Sequence, residues 1–231
     1  MTVTMTRSAG TRVARHPAQR FDWPATLALH LLPVAATFAA AFALRAPVRA
    51  LDLPPQFALT LAFAFVLTPI QLGLLLHAAH RVTGRWSLVA LPSVLSFQRR
   101  LPPRLYLMLL PSLAAIALGV AILLDPDLVP AGAGTGVLAA TLVVDGLLRP
   151  VAQEVYFRAY LLPRLPVGGG LAVLTSAALS TVQFAWHPQP AVFMFVVQLM
   201  LAAVTVRLGS VRVTIAAHCL IAAAAPLAAL L

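Results

Sequence analysis

Acid is what this 231-residue sequence has least of: it holds six Asp and Glu residues, and Glu154 is the only glutamate. Lysine is absent, so the formal charge of +10 rests on 16 arginines. Only 10% of residues are charged, against about a quarter in soluble domains, while 61% are hydrophobic. The mean hydropathy is +0.94. So little charge excludes an ordinary solvated surface and points to one bilayer-embedded, all-α domain. Cysteine is also scarce. Cys219 stands alone, which excludes a disulfide framework, and no CxxC or His/Cys cluster suggests structural zinc. Gly132, Gly134 and Gly136 lack the Lys-Ser/Thr of a phosphate loop and read instead as helix-packing positions. The arginines fall between apolar runs, as in the loops that orient a membrane protein, which argues against a nucleic-acid partner.

What is present is a series of apolar runs, each about long enough to cross a bilayer as a helix. They lie at about 24–44, 57–80, 105–124, 128–148, 169–186, 190–206 and 212–231, with a shorter additional helix at 150–165. Continuous runs exclude a barrel, whose strands would alternate, and backbone groups in lipid must pair within their own segment. The expected product is a polytopic helical bundle of seven or eight spans over 24–231, behind a basic tail at 1–23. The first apolar run is too long for a signal peptide and reads as a retained helix. The arginines of the tail and of the 81–104 loop predict a cytoplasmic N-terminus, with Asp125 and Asp127 outside. Seven spans would keep Arg207 and Arg212 inside, and eight would place them outside. No internal repeat of the kind that marks secondary transporters is visible.

Ionisable groups at membrane depth cost about 2.5–3.5 kcal/mol each on insertion scales, so they face partners or cavities. His30 stands alone and suits a core hydrogen bond. His77 and His80 suit interfacial anchoring at a helix end. Asp145 and Arg149 are spaced for an i,i+4 ion pair. The last third of the chain is richer. Glu154 and Arg158 share a helix face, Gln153 precedes them, and His187 and His218 lie on two further helices. One carboxylate and two imidazoles converging on a pocket would support hydrolysis. They could act as proton acceptors for water, or as a His/His/Glu set holding Zn²⁺. A buried ion pair with two separately satisfied histidines is the plain alternative.

Three motifs carry a family resemblance: Gln153-Glu154-Val155-Tyr156-Phe157-Arg158, then Phe184-Ala185-Trp186-His187, then His218-Cys219-Leu220-Ile221-Ala222. In order and separation, across about 130–231, they resemble the CPBP family of intramembrane proteases. That family includes the type II CAAX prenyl endopeptidases and bacteriocin self-immunity proteins. The resemblance implies an endopeptidase acting on a membrane-associated peptide or protein within the bilayer, in a bacterial plasma membrane. It implies that His187 and the residue at 153 activate water, that His218 holds the oxyanion, and that Glu154 pairs with Arg158. A Zn²⁺ held by Glu154, His187 and His218 is the metal-dependent version. Two positions depart from the family pattern: Gln153 replaces the expected first glutamate, and Ala222 the expected asparagine. Three accounts follow. Glu154 takes over as base through a local change in helix orientation; His187 acts alone or with a metal; or the protein binds a membrane partner without cutting it.

Overall fold

The computed structural model describes residues 20–111, 134–185 and 188–228. Among them the chain is helical, and its one strand-like feature is an isolated antiparallel bridge between Gln98 and Ser210. Helix α1 is Trp23–Ala50, with Asp22 accepting the Ala25 N–H as its N-cap. Helix α2 runs Phe57–Thr83 and α3 occupies 103–111. Helix α4 is Thr135–Arg164. Helix α5, Gly169–Thr181, tightens into a 3₁₀ turn at Val182–Phe184. Helices α6, Pro188–Leu208, and α7, Val211–Ala228, follow. Helices α1, α2, α4 and the Ala191–Leu208 part of α6 are long and apolar enough to cross a membrane; Gly169–Phe184 and Val211–Ala224 are apolar but shorter. This is an integral membrane bundle.

The expected break between 128–148 and 150–165 is not there. One helix, α4, covers 135–164, so the supposed extra short helix is its second half. The reason lies in its prolines. A proline inside a helix removes one N–H and crowds the carbonyl four residues back. In α2 and α4 the prolines follow a wider, π-helical stretch that makes room: Phe63–Leu67 before Pro69, Val144–Leu148 before Pro150, and Glu154–Leu161 before Pro163. At these positions the helices continue unbroken. The glycine reading also changes. Added side-chain carbons at Gly134 and Gly136 would meet nothing among the described residues, and Gly132 lies outside them. Asp125 and Asp127 also lie outside them. The close helix approach occurs at Gly146, where an added Cβ would meet Ala223 Cβ of α7 at 3.3 Å. That small-residue crossing draws α7 against α4.

Several helix ends are tied together on one face. Phe21 N–H donates to Arg164 O, joining the start of α1 to the end of α4. The segment between α2 and α3 straps across the same face. Its Ser96 N–H donates to Ala159 O at 2.9 Å, the carbonyl that Pro163 cannot serve. Further along, Arg99 N–H donates to Gly209 O, and Val211 N–H to Phe97 O, which fastens the strap to the turn between α6 and α7. Arg164 completes the fastening with bonds to Val94 O and Tyr160 O. This face therefore gathers Arg20, Arg81, Arg85, Arg99, Arg100, Arg104, Arg164, Arg207 and Arg212, while Arg45, Arg49 and Asp52 lie at the other end of α1.

Candidate active site

Helix α4 carries the site. At 1.5 Å per residue, Glu154 lies roughly 15 Å below Arg164 and His218 roughly 10 Å below the start of α7. Both sit beneath the arginine-rich face. Gln153 and Glu154 are adjacent, yet both are buried to 1% exposure. They are turned to different neighbours. Gln153 Nε2 donates to Gln183 Oε1 on the 3₁₀ turn at 2.6 Å, and Gln183 Nε2 donates to Ser180 O. Glu154 faces α7, where its Oε1 lies 3.0 Å from His218 Nδ1. A carboxylate only accepts, so Nδ1 carries the proton. Nε2 is then the ring nitrogen left for chemistry. No rotation of the helix is needed to aim Glu154 inward; the π-helical stretch opens at this residue. Such wide turns recur at functional sites.

The expected Glu154–Arg158 pair is present but is not the main contact of either residue. Arg158 Nε stands 4.0 Å from Glu154 Oε2, beyond hydrogen-bond length. A fully buried guanidinium has five N–H groups to satisfy, and α5 and α6 supply most of the acceptors. Arg158 Nη1 reaches Ser176 Oγ and Ser180 Oγ, and Nη2 reaches Ser180 Oγ, Gln198 O and Gln198 Oε1. Arg158 thus locks three helices together beside the acid. Ser176, Ser180, Gln183 and Gln198 were not singled out in the sequence. Their signal was polar residues inside apolar runs, with Ser176 and Ser180 one turn apart.

His187 lies outside the described residues, so its expected place beside Glu154 and His218 is neither brought together nor separated here. Ala222, where the asparagine would stand, offers no donor, and the chain contains no asparagine at all. The other ionisable groups take separate places. His30 is buried, with Nδ1 2.7 Å from Thr26 O and its ring against Phe157. His77 and His80 flank Trp86 at the end of α2, where His80 stacks on the indole at 4.6 Å. Asp145 and Arg149 do pair, at 3.5 Å, but in mid-helix and not at a helix end.

For zinc, the relevant pair is Glu154 and His218. Among the described residues no group of three His, Cys, Asp or Glu side chains could hold a metal ion. The carboxylate and imidazole are bonded to each other, and a divalent ion at Glu154 would meet the Arg158 cation beside Oε2. Glu154 and His218 are arranged as a hydrogen-bonded acid–imidazole dyad, and His187, the third residue of the expected ligand set, lies outside the described residues.

Residues 135–224, from α4 into α7, match the family model described as Rce1-like, type II CAAX prenyl endopeptidase. No curated protein and no solved structure matches the chain. The match covers the helices that carry Gln153, Glu154, Arg158 and His218, and it supports the resemblance of this segment to the CPBP/CAAX protease family that the three motifs carry.

Proposed function

We propose that this protein is an intramembrane endopeptidase whose base is the Glu154–His218 dyad. The observation that carries the proposal is the 3.0 Å contact between two buried ionisable groups on different helices, within the family region. Glu154 accepts the Nδ1 proton of His218, fixes the ring and stabilises the imidazolium that forms when Nε2 takes a proton from water. The hydroxide attacks the peptide carbonyl, and the imidazolium returns its proton to the leaving amine. Arg158 stands beside Glu154 and keeps it directed toward α7. Gln153, tied to Gln183, positions the turn and transfers no proton. In this reading the oxyanion donor that replaces the missing asparagine is His187. The substrate is a membrane-associated peptide or protein. The arginine-rich face is cytoplasmic, and seven helices cross the bilayer, with Arg207 and Arg212 inside in keeping with the positive-inside rule.

The test is turnover of a membrane-anchored fluorogenic peptide by purified protein in vesicles. His218→Ala and Glu154→Gln should each lower the rate by about 10²–10⁴, the usual contribution of a positioned base. Wild-type rates in both variants would place the chemistry elsewhere. A second reading, a non-cutting binding member, is favoured by the Gln153–Gln183 amide pair where an acid is expected. It requires that the wild type cut nothing and that Gln153→Glu with Ala222→Asn introduce activity.

A further inference from the structure

The strap between α2 and α3 has two different faces. Its 3₁₀ helix, Leu88–Ser93, packs Ala90 and Leu91 with the following Val94 against the Tyr156–Tyr160 cluster of α4. The opposite side leaves Leu88 at 62% and Val89 at 87% exposure, with Trp86 at 62%. Gly84, in the left-handed conformation at φ 71°, ends α2 and turns the chain back so that Trp86 stacks on His80. The indole therefore lies along the flank of α2, close to the helix end, where tryptophans meet the lipid interface. The same segment and its flanking helix ends carry the exposed Arg81, Arg85, Arg99, Arg100 and Arg104. The ion pairs among the described residues are Asp145–Arg149, Glu154–Arg158 and Glu154–His218, none of which involves these five. The one acid on this face, Asp22, caps α1.

An amphipathic element with exposed Trp and Leu on one side and arginines around it matches a bilayer surface carrying negative charge. We propose that this strap is a binding surface for anionic phospholipid headgroups. The arginines meet the headgroup phosphates, while Trp86, Leu88 and Val89 enter the acyl boundary beneath them. Each arginine held near an anionic leaflet contributes roughly a five-fold preference over a neutral one. The strap is bonded to α4 at Ala159 and to the α6–α7 turn at Gly209 and Val211. Its anchoring therefore sets the depth of the two helices that bear Glu154 and His218.

The experiment reads lipid contact and is independent of proteolysis. In the full-length protein, W23F and W186F leave Trp86 as the only tryptophan. It is reconstituted in neutral vesicles containing equal small fractions of either brominated phosphatidylglycerol or brominated phosphatidylcholine, and its fluorescence quenching is measured. At low salt the anionic lipid should quench at least about two-fold more strongly than the neutral one, and the excess should vanish at 1 M salt, where screening acts within about 3 Å. R85Q/R99Q/R100Q should reduce the excess several-fold while leaving quenching by the neutral lipid unchanged. Equal quenching by the two lipids in the low-salt protein with its arginines intact overturns the proposal, as does an excess that survives high salt or is undiminished by the triple substitution.

Discussion

Helix α4 carries the same acid–arginine spacing twice, and the two copies do different work. Asp145 and Arg149 form a local pair. They are 3.5 Å apart and partly exposed; the acid takes a 2.6 Å bond from Thr60, and the guanidinium lies 3.9 Å from the Phe63 ring and 4.9 Å from that of Phe184. Glu154 and Arg158 are fully buried, stand 4.0 Å apart, and each reaches to other helices: the acid to α7, the arginine to α5 and α6. Sequence spacing permits an ion pair, but the surrounding helices decide whether the charges serve each other or a site. At the first pair the neighbours are two aromatic rings and one hydroxyl. At the second, an imidazole competes for the acid.

The sharpest way to break this contrast is to neutralise the arginines. Arg158→Met removes a buried cation that serves three helices and leaves Glu154 without its countercharge. Removing one partner of a buried pair costs about 3–5 kcal/mol, which thermal unfolding in detergent would report as a large loss. Arg149→Met, at the partly exposed pair, should cost clearly less. Equal losses would erase the distinction between the two turns. Next in size is the helix crossing that brings the dyad together. Gly146→Leu places a side chain where Ala223 Cβ already stands 3.3 Å from an added carbon. Overpacking of this kind costs about 1–3 kcal/mol, and by pushing α7 away it should also reduce peptide cleavage. Full cleavage in this variant would mean that the α4–α7 contact does not set the site. The smallest effect is expected from Thr60→Val, which removes one hydrogen bond to Asp145. A stability loss of about 1 kcal/mol with unchanged cleavage fits a self-contained pair.

The helical class and the family were legible because an excess of apolar residues and a short motif series survive without knowledge of packing. That Glu154 and His218 have partners was legible too, since an acid and an imidazole are too costly within apolar runs to stand there alone. The partner of Glu154 was not legible. The spacing to Arg158 is visible along the chain, whereas the 3.0 Å approach of His218 depends on the crossing at Gly146 and Ala223, far apart in sequence. The division at 148–150 was misread for a local reason. Pro150 resembles a helix end, but the wide turn at Val144–Leu148 absorbs it and the helix continues. The acceptors of Arg158 went unnoticed because serine and glutamine are common enough to be passed over singly. Their meaning appears only when α5 and α6 are seen to close around one guanidinium.

The central claim is that Glu154 serves His218. Its most direct measurement is the protonation of the His218 ring nitrogens, by ¹⁵N solid-state NMR of histidine-labelled protein in bilayers, with His218→Gln for assignment. The account predicts a proton on Nδ1 of His218, with a signal that moves when Glu154 is changed to Gln and stays when Asp145 is changed to Asn. A bare Nδ1 with the proton on Nε2, unaffected by Glu154→Gln, would contradict it.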